Sequence, residues 1–318
     1  MIWKVLLIGL GDIGFKYDLD EPEDVIQTHA RAFSLHEKFT LVGGVDPNKK
    51  NRDHFQKIYD VCTFETISEA FEKSASDVVV IASPTKFHFE NLREIVSHSK
   101  PRLILMEKPA TYTMEQAQNM IEISSEYSVP ILINVVRRTE LSVLEIKSRI
   151  DKNEIKLPCK GVVWYSKGLI HNACHFIDLL SWWLGKPEKI EVLDKGRKIN
   201  EFDIEPDLRI QFSDSVIYFI AKNNEEYSYY NIELLAQNGR LTFGSGDIPI
   251  GWQAKAKENV GLEAFNEEIN NELYQYQFNV VNDIERFLNK QSALLPSLED
   301  HIETMKLVYE ITSTKEKQ

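Results

Sequence analysis

The sequence predicts an α/β protein in two parts: a doubly wound parallel sheet over residues 1–136, then an α/β domain over 137–318 built on an open, mainly antiparallel sheet. Three observations carry this. Short, continuously apolar runs alternate with amphipathic stretches through the first half; a glycine-rich turn follows the first run directly; and the runs of the second half alternate apolar with polar residues. A chain of 318 residues also exceeds what one hydrophobic core normally organises.

The first-half strands are read at "WKVLLIG" (3–9), "FTLVGGVD" (39–46), "DVVVIAS" (77–83), "RLILMEK" (102–108) and "PILINVV" (130–136). Apolarity without alternation marks strands covered on both faces. Between them, "FHFENLREIVSHS" (87–99) and "TMEQAQNMIEISSEY" (113–127) space their apolar residues as helices do. After a helical stretch near 138–151, strands are read at 159–166, 188–194, 207–213, 215–222, 227–237 and 240–245, several joined only by turns such as "SDS" and "QNG". Helices are predicted over 266–290 and 297–313.

Composition narrows the function. A net charge of −12 with no dense Lys/Arg stripe argues against nucleic acid as a partner. No apolar run approaches the roughly 20 residues that cross a bilayer, and the N-terminus lacks a signal peptide's basic leader, so no membrane partner and a cytoplasmic location are expected. Cys62, Cys159 and Cys174 are an odd number spread along the chain, which predicts three free thiols.

"GLGDIG" places Gly9, Gly11, Asp12, Ile13 and Gly14 directly after the first strand, where a dinucleotide's pyrophosphate needs bare backbone N–H groups. The second strand ends at Asp46, a carboxylate suited to a ribose 2′-hydroxyl and repelling a 2′-phosphate, so NAD is preferred over NADP. Asp46 nevertheless follows Gly14 by 32 residues, against about 20 in the usual fingerprint. The excess falls in "FKYDLDEPEDVIQ" (15–27), read as an inserted loop before a helix starting near Thr28; a lid, a subunit contact and a merely tolerated insertion all fit it.

"GLGDIG", "THARAF" (28–33), "SPTKFH" (83–88), "EKPAT" (107–111), "HNACHFIDLLSWWLG" (171–185) and "AQNGRLTF" (236–243) together resemble the glucose-fructose oxidoreductase, inositol dehydrogenase and MocA (Gfo/Idh/MocA) family, in order and across most of the chain. The resemblance implies an N-terminal Rossmann domain and a C-terminal domain with a large open sheet. It also implies a tightly held nicotinamide cofactor and a sugar-like secondary alcohol or ketone as substrate. Residue by residue, it makes Lys108 and His175 catalytic, sets Ser83, Pro84, His88 and Glu107 along the cofactor, and matches Asp178 to the aspartate of a His-x-x-Asp signature. Inositol dehydrogenase-like members carry an aspartate four residues before the histidine; this chain has His171 there. Ala173 stands where a glycine is common.

The chemistry is coherent. A histidine titrating near neutrality can exchange the hydroxyl proton, and a lysine can stabilise a developing alkoxide. His171 is read as a third catalytic, hydrogen-bonding group, set against a purely structural histidine. Two histidines four apart can also bind zinc, but Asn172 replaces the glutamate of H-E-x-x-H and no distant ligand stands out, so no metal is predicted. Asn134 and Arg137 lie at the end of the strand read at 130–136, where ligands gather, and join Lys108, His171, Asn172 and His175 as substrate-binding candidates. Arg137 or its neighbour Arg138 meets an anionic substrate group or a salt bridge. Trp182 and Trp183 pack the helix or border the substrate. A glycosidase using NAD transiently and a cofactor-binding regulator remain alternatives, and the open sheet predicts a homodimer or homotetramer.

Overall fold

The computed structural model describes residues 2–223, 226–244, 250–256, 261–262, 267–269 and 273–313. Two compact units divide the chain: Met1–Thr139 with Glu272–Ile302, and Glu140–Asn271 with Glu303–Gln318.

In the first unit the order is β1 (Trp3–Ile8), α1 (His29–Leu35), β2 (Phe39–Val45), α2 (Lys49–Tyr59), β3 (Thr63–Phe64), α3 (Ile67–Lys73), β4 (Val78–Ile81), α4 (His88–His98), β5 (Leu103–Met106), α5 (Met114–Tyr127) and β6 (Ile131–Ile133). The strands form one sheet in the order β3-β2-β1-β4-β5-β6, every pair parallel. Parallel strands need crossovers, and the helices that make them start where the sequence supplies caps. The hydroxyls of Thr28, Thr66 and Thr113 and the amide of Asn48 accept the backbone N–H groups of Arg31, Glu69, Gln116 and Lys50.

The continuous apolar runs follow from burial on both faces. Val5 and Leu7 of β1, Val78 and Val80 of β4, and Leu103 and Leu105 of β5 pack with Phe33 of α1 and Phe55 of α2. The alternate residues, Leu6, Ile8, Val79, Ile81, Ile104 and Met106, pack with Ile67, Leu92, Ile95 and Met120 on the other side. The expected doubly wound domain is present, with two further elements, β3 and α3, between β2 and β4.

The second unit holds α6 (Leu141–Asp151), β7 (Lys160–Tyr165), α7 (Cys174–Leu184), β8 (Pro187–Lys198), β9 (Ile204–Phe212), β10 (Ser215–Ala221), β11 (Asn231–Ala236), β12 (Gly239–Gly244), β13 (Gly251–Ala254) and β14 (Glu267–Glu268). Its eight strands run β14-β13-β12-β11-β7-β10-β9-β8, antiparallel except where β10 lies parallel to β7. Alternation sorts the sheet into two faces: Ile217, Phe219, Ile232 and Leu234 are buried, while Trp164 and Leu235 remain 43% and 52% exposed on the opposite face.

The chain closes with α8 (Tyr276–Leu288) and α9 (Leu298–Ser313). The predicted helix over 266–290 is corrected at its start. Glu267 and Glu268 pair with Trp252 and Gly251 as an edge strand, Glu267 is held 2.6 Å from Arg149, and helix begins only at Tyr276. Residues 266 and 270–272 lie outside those described. Val280, Val281 and Ile284 of α8 belong to the first unit's core.

The loop read as an insertion is tied down from within. The single turn Asp12–Lys16 carries the last of the glycines, Gly14; buried Asp18 then accepts from the backbone N of Gln27 and of Thr28, both at 2.8 Å, and from Thr28 Oγ1 at 2.9 Å. Removing an acceptor shared by three donors leaves them unmatched in the interior. We expect Asp18→Ala to lower unfolding free energy by about 2–4 kcal/mol, read as a lower urea midpoint; an unchanged midpoint would show that the loop is fastened elsewhere.

Candidate functional site

The sheet order reverses between β1 and β4, the place where open α/β sheets bind ligands beyond their strand ends. Gly9 sits there with φ +94°, and a Cβ on it would lie 2.5 Å from Ser83 N and 2.6 Å from Ala82 C. A Cβ on Gly14 would lie 2.3 Å from the Gly9 carbonyl oxygen. Both glycines are thus required by neighbouring backbone. Gly11 is different: nothing lies within 4 Å of its Cβ position, and its φ of −91° suits any residue. Its bareness serves no internal contact, which is what a close-lying pyrophosphate requires. Ile13 is partly buried against the core, and Asp12 is exposed.

Asp46 is buried at the end of β2, where Oδ2 accepts from Leu10 N at 2.9 Å and Oδ1 from Asn48 N at 2.8 Å. Asn51 Nδ2 adds a contact at 3.2 Å. The carboxylate therefore joins the glycine turn to the β2–α2 corner, and its remaining acceptor capacity is what a ribose could use.

Beyond β4, Ser83 is half-buried and Pro84 exposed. His88 is fully buried, with Nε2 2.8 Å from the Ser83 carbonyl and Nδ1 3.2 Å from that of Ala110. Burial pushes its pKa down against the pull of those carbonyls. A neutral imidazole has one N–H, so His88 donates to one carbonyl at a time while linking the β4 loop to the Lys108–Pro109–Ala110 turn.

Glu107 and Lys108 follow β5, both half-buried. Glu107 Oε1 lies 2.8 Å from His29 Nε2 and 2.7 Å from Asn134 Nδ2. Burial works to raise its pKa, but the hydrogen bonds from His29 and Asn134 and the charge of Lys108 carry it below the ordinary 4.5. Asn134, predicted to face substrate, is 1% exposed and gives its amide to Glu107 and Gln277. Arg137 and Arg138 occupy a short turn after β6, half-buried. His301 of α9 is fully buried within electrostatic reach of both Arg138 and Lys108, and burial, then those cations, push its pKa down to about 3.

In the second unit, His171 is exposed in the turn Leu169–Ala173, while His175 lies half-buried in the first turn of α7. The turn is π-helical and runs directly into α7, with Ala173 and Cys174 both in helical backbone. The turn is held by carboxylates from the β8–β9 corner. Asp203 Oδ1 accepts from Ile170 N at 2.9 Å, Oδ2 from His171 N at 3.0 Å, and Glu205 Oε1 from Gly168 N at 3.2 Å. Gly168 has φ +94°, and a Cβ there would strike Asp203 Oδ2 at 2.1 Å. Asn172 Nδ2 donates to the Ser166 carbonyl at 2.6 Å, and Asp178 is fully buried. Trp183 packs on Phe243 and donates to the Val143 carbonyl, while Trp182 is half-buried.

The structure thus gathers Gly9, Gly11, Gly14, Asp46, Ser83, His88, Glu107 and Lys108 at the strand ends of one sheet, and His171, Asn172 and His175 in one turn and helix start of the other unit. Sequence reasoning missed His29, Gln277, His301 and Asp203. "THARAF" was singled out as a motif, but nothing in it showed that its histidine would meet Glu107. Among the described residues no helix is long and apolar enough to cross a membrane, and no group of three or more His, Cys, Asp or Glu side chains is placed to hold a metal.

A doubly wound sheet with a glycine turn at its switch point is the arrangement in which dinucleotides bind. Residues 3–135 match the model of the oxidoreductase family with an NAD-binding Rossmann fold, GFO_IDH_MocA. The chain is similar to glucose-6-phosphate 3-dehydrogenase of Bacillus subtilis (strain 168), 30% identical over 152 residues, 48% of this chain and 39% of that protein. The NAD(+)-dependent scyllo-inositol 2-dehydrogenase of the same organism is 30% identical over 146 residues, 42% of each chain. The matched region therefore spans about two fifths of these relatives' length. In fold, the chain is similar to an NAD binding oxidoreductase from Klebsiella pneumoniae, with a TM-score of 0.79 at 14% identity over 99% of this chain and 97% of that one.

The glycines separate folding from binding. Gly11→Ala is expected to unfold within about 0.5 kcal/mol of the parent yet bind NAD at least about tenfold more weakly, whereas Gly14→Ala should lose stability first. Calorimetric titration and urea melts distinguish them, and undiminished affinity in Gly11→Ala would refute the assignment of this turn.

Proposed function

We propose that the protein is an NAD-dependent oxidoreductase acting on CH–OH groups, moving a hydride between nicotinamide and a secondary alcohol or ketone of a sugar, nucleotide sugar or cyclitol. The observation that carries this reading is the Glu107–Lys108–Pro109 turn at the carboxyl end of β5, in the same sheet as a glycine turn whose open Gly11 fits a pyrophosphate. The relatives' names, a glucose-6-phosphate 3-dehydrogenase and a scyllo-inositol 2-dehydrogenase, support the substrate class. Asp46 supports NAD over NADP, because a buried carboxylate at the end of β2 repels a 2′-phosphate. A reducing, cytoplasmic setting agrees with three cysteines that form no disulfide.

The nicotinamide, when bound, supplies the hydride acceptor or donor. In the oxidative direction the substrate carbon loses a hydride and its hydroxyl loses a proton. The ammonium of Lys108 would donate a hydrogen bond to the oxygen and stabilise its growing negative charge, the larger contribution by usual magnitudes. His175 would take the proton as general base and return it in the reductive direction. His171, four residues earlier and exposed, would hydrogen-bond a substrate hydroxyl. The half-buried Arg137 and the Asn172 amide would border the same substrate.

Assembly belongs to this reading. Trp164 of β7 and Leu235 of β11 stand exposed on the face of the eight-stranded sheet that also carries the partly buried Val216 and Tyr218. Apolar surface of that kind favours pairing with a second copy, giving a homodimer or homotetramer; sedimentation of a monomer at micromolar concentration would refute it.

The direct test follows NADH absorbance while a panel of sugars, sugar phosphates, nucleotide sugars and cyclitols is supplied with NAD. Lys108→Ala and His175→Ala should each lower kcat by about 10²–10⁴ while NAD still binds. Sugar cleavage without net reduction of NAD would instead establish a glycosidase, and NAD binding with no turnover across the panel a regulatory protein.

A further inference from the structure

Four buried side chains from four separate segments close a ring of hydrogen bonds beside Lys108. His29 Nε2 lies 2.8 Å from Glu107 Oε1, and Asn134 Nδ2 lies 2.7 Å from the same oxygen. Asn134 Nδ2 also contacts Gln277 Oε1 at 3.2 Å, and Gln277 Nε2 lies 2.9 Å from His29 Nδ1. His29 and Gln277 are 0% exposed, Asn134 is 1% exposed, and the Glu107 side chain 12%.

Only one set of orientations satisfies the ring. Turning the Asn134 amide over would set its oxygen against both the carboxylate and Gln277 Oε1, and turning Gln277 would set its amide nitrogen against Asn134 Nδ2, donor against donor. The Gln277 amide therefore donates to Nδ1, and the histidine proton sits on Nε2, aimed at Glu107. Glu107 Oε2 accepts at 3.3 Å from the backbone N of Lys108. The other titratable groups around this pair are His88 of α4, Tyr276 of α8 and His301 of α9, with Arg137 and Arg138 after β6. Burial favours the neutral forms of His88, Tyr276 and His301. Among these groups the negative charge next to Lys108 is that of Glu107.

We propose that His29 and Gln277 are positioning residues: with Asn134 they hold Glu107 as an immobile, ionised carboxylate that orients the ammonium of Lys108. This inference rests on the reading of Lys108 as the group that meets the reacting oxygen. Without the ring, burial dominates and the carboxyl takes up a proton at higher pH. The ring is a buried network in which each side chain is bonded to the next, with Asn134 Oδ1 the one of its atoms left without a partner, so breaking it at one place loosens the whole.

The test uses the full chain and two readouts. Infrared spectra of the cofactor-free protein, taken from neutral to mildly acidic pH, should show a protonated-carboxyl band in His29→Phe that the parent lacks, and Glu107→Gln in the same background should abolish it. In turnover, His29→Phe should lower kcat about tenfold with KM changed less than about twofold, and the acid limb of the kcat profile should move up by about one pH unit. His29→Asn, which keeps a donor, should recover most of both effects. Gln277→Leu frees the imidazole proton to move to Nδ1 and should shift the same limb by less, which decides the matter if His29→Phe does not fold. An unchanged spectrum and acid limb in these variants would overturn the proposal, even if kcat fell. If the parent reduces no NAD with any substrate, the oxidoreductase reading fails and takes the orienting role with it, while the spectrum still decides what keeps Glu107 ionised.

Discussion

The close approach of Gly9 to the Ala82–Ser83 backbone is the constraint from which the first unit's architecture follows. With φ +94° and no room for a Cβ, this residue lets the end of β1 lie against the end of β4 at the point where strand order reverses. Gly14 then closes on the Gly9 carbonyl, and Asp46 fastens the next residue, Leu10, to the β2–α2 corner. The glycine turn, the candidate pyrophosphate contact, is thus placed by backbone geometry before any side chain chooses a rotamer. Binding surfaces built this way need little reorganisation when a ligand arrives.

The polar side chains behind this surface obey a second rule, that a buried donor or acceptor must find a partner. Asp18, Glu107, Asp203 and Asp283 are all buried or nearly so, and each meets several donors; Asp283, for example, takes the backbone N–H groups of Leu294 and Leu295. These carboxylates work as fasteners for loops. Glu107 differs from the rest because the next residue along the chain is a lysine at the mouth of the sheet.

The sequence made the parallel sheet legible because both-face burial writes uninterrupted Val, Leu and Ile runs, and it made the glycine turn legible because sterics leave few substitutes for Gly9 and Gly14. The eight-stranded sheet was legible from alternation, as in "SVIYFIA", where each second residue is buried. The partners of buried polar groups were not. His29, Glu107, Asn134 and Gln277 are separated by up to 248 residues, and nothing local to any of them signals the others. The misread start of α8 has a similar origin: "NEEINNELYQYQFNVV" has helical spacing, but pairing of Glu267 and Glu268 with β13 is a long-range fact.

The first unit is not contiguous. Gln277, Val280, Val281, Ile284 and Leu295, which follow the second unit's strands in sequence, join its core or its polar ring. A ribosome that has released residue 139 has therefore not yet supplied this unit's last walls. N-terminal domains usually fold as they emerge during synthesis. Here the part translated first must wait for residues 272–302, so it cannot be complete until the strands of the other unit have been made.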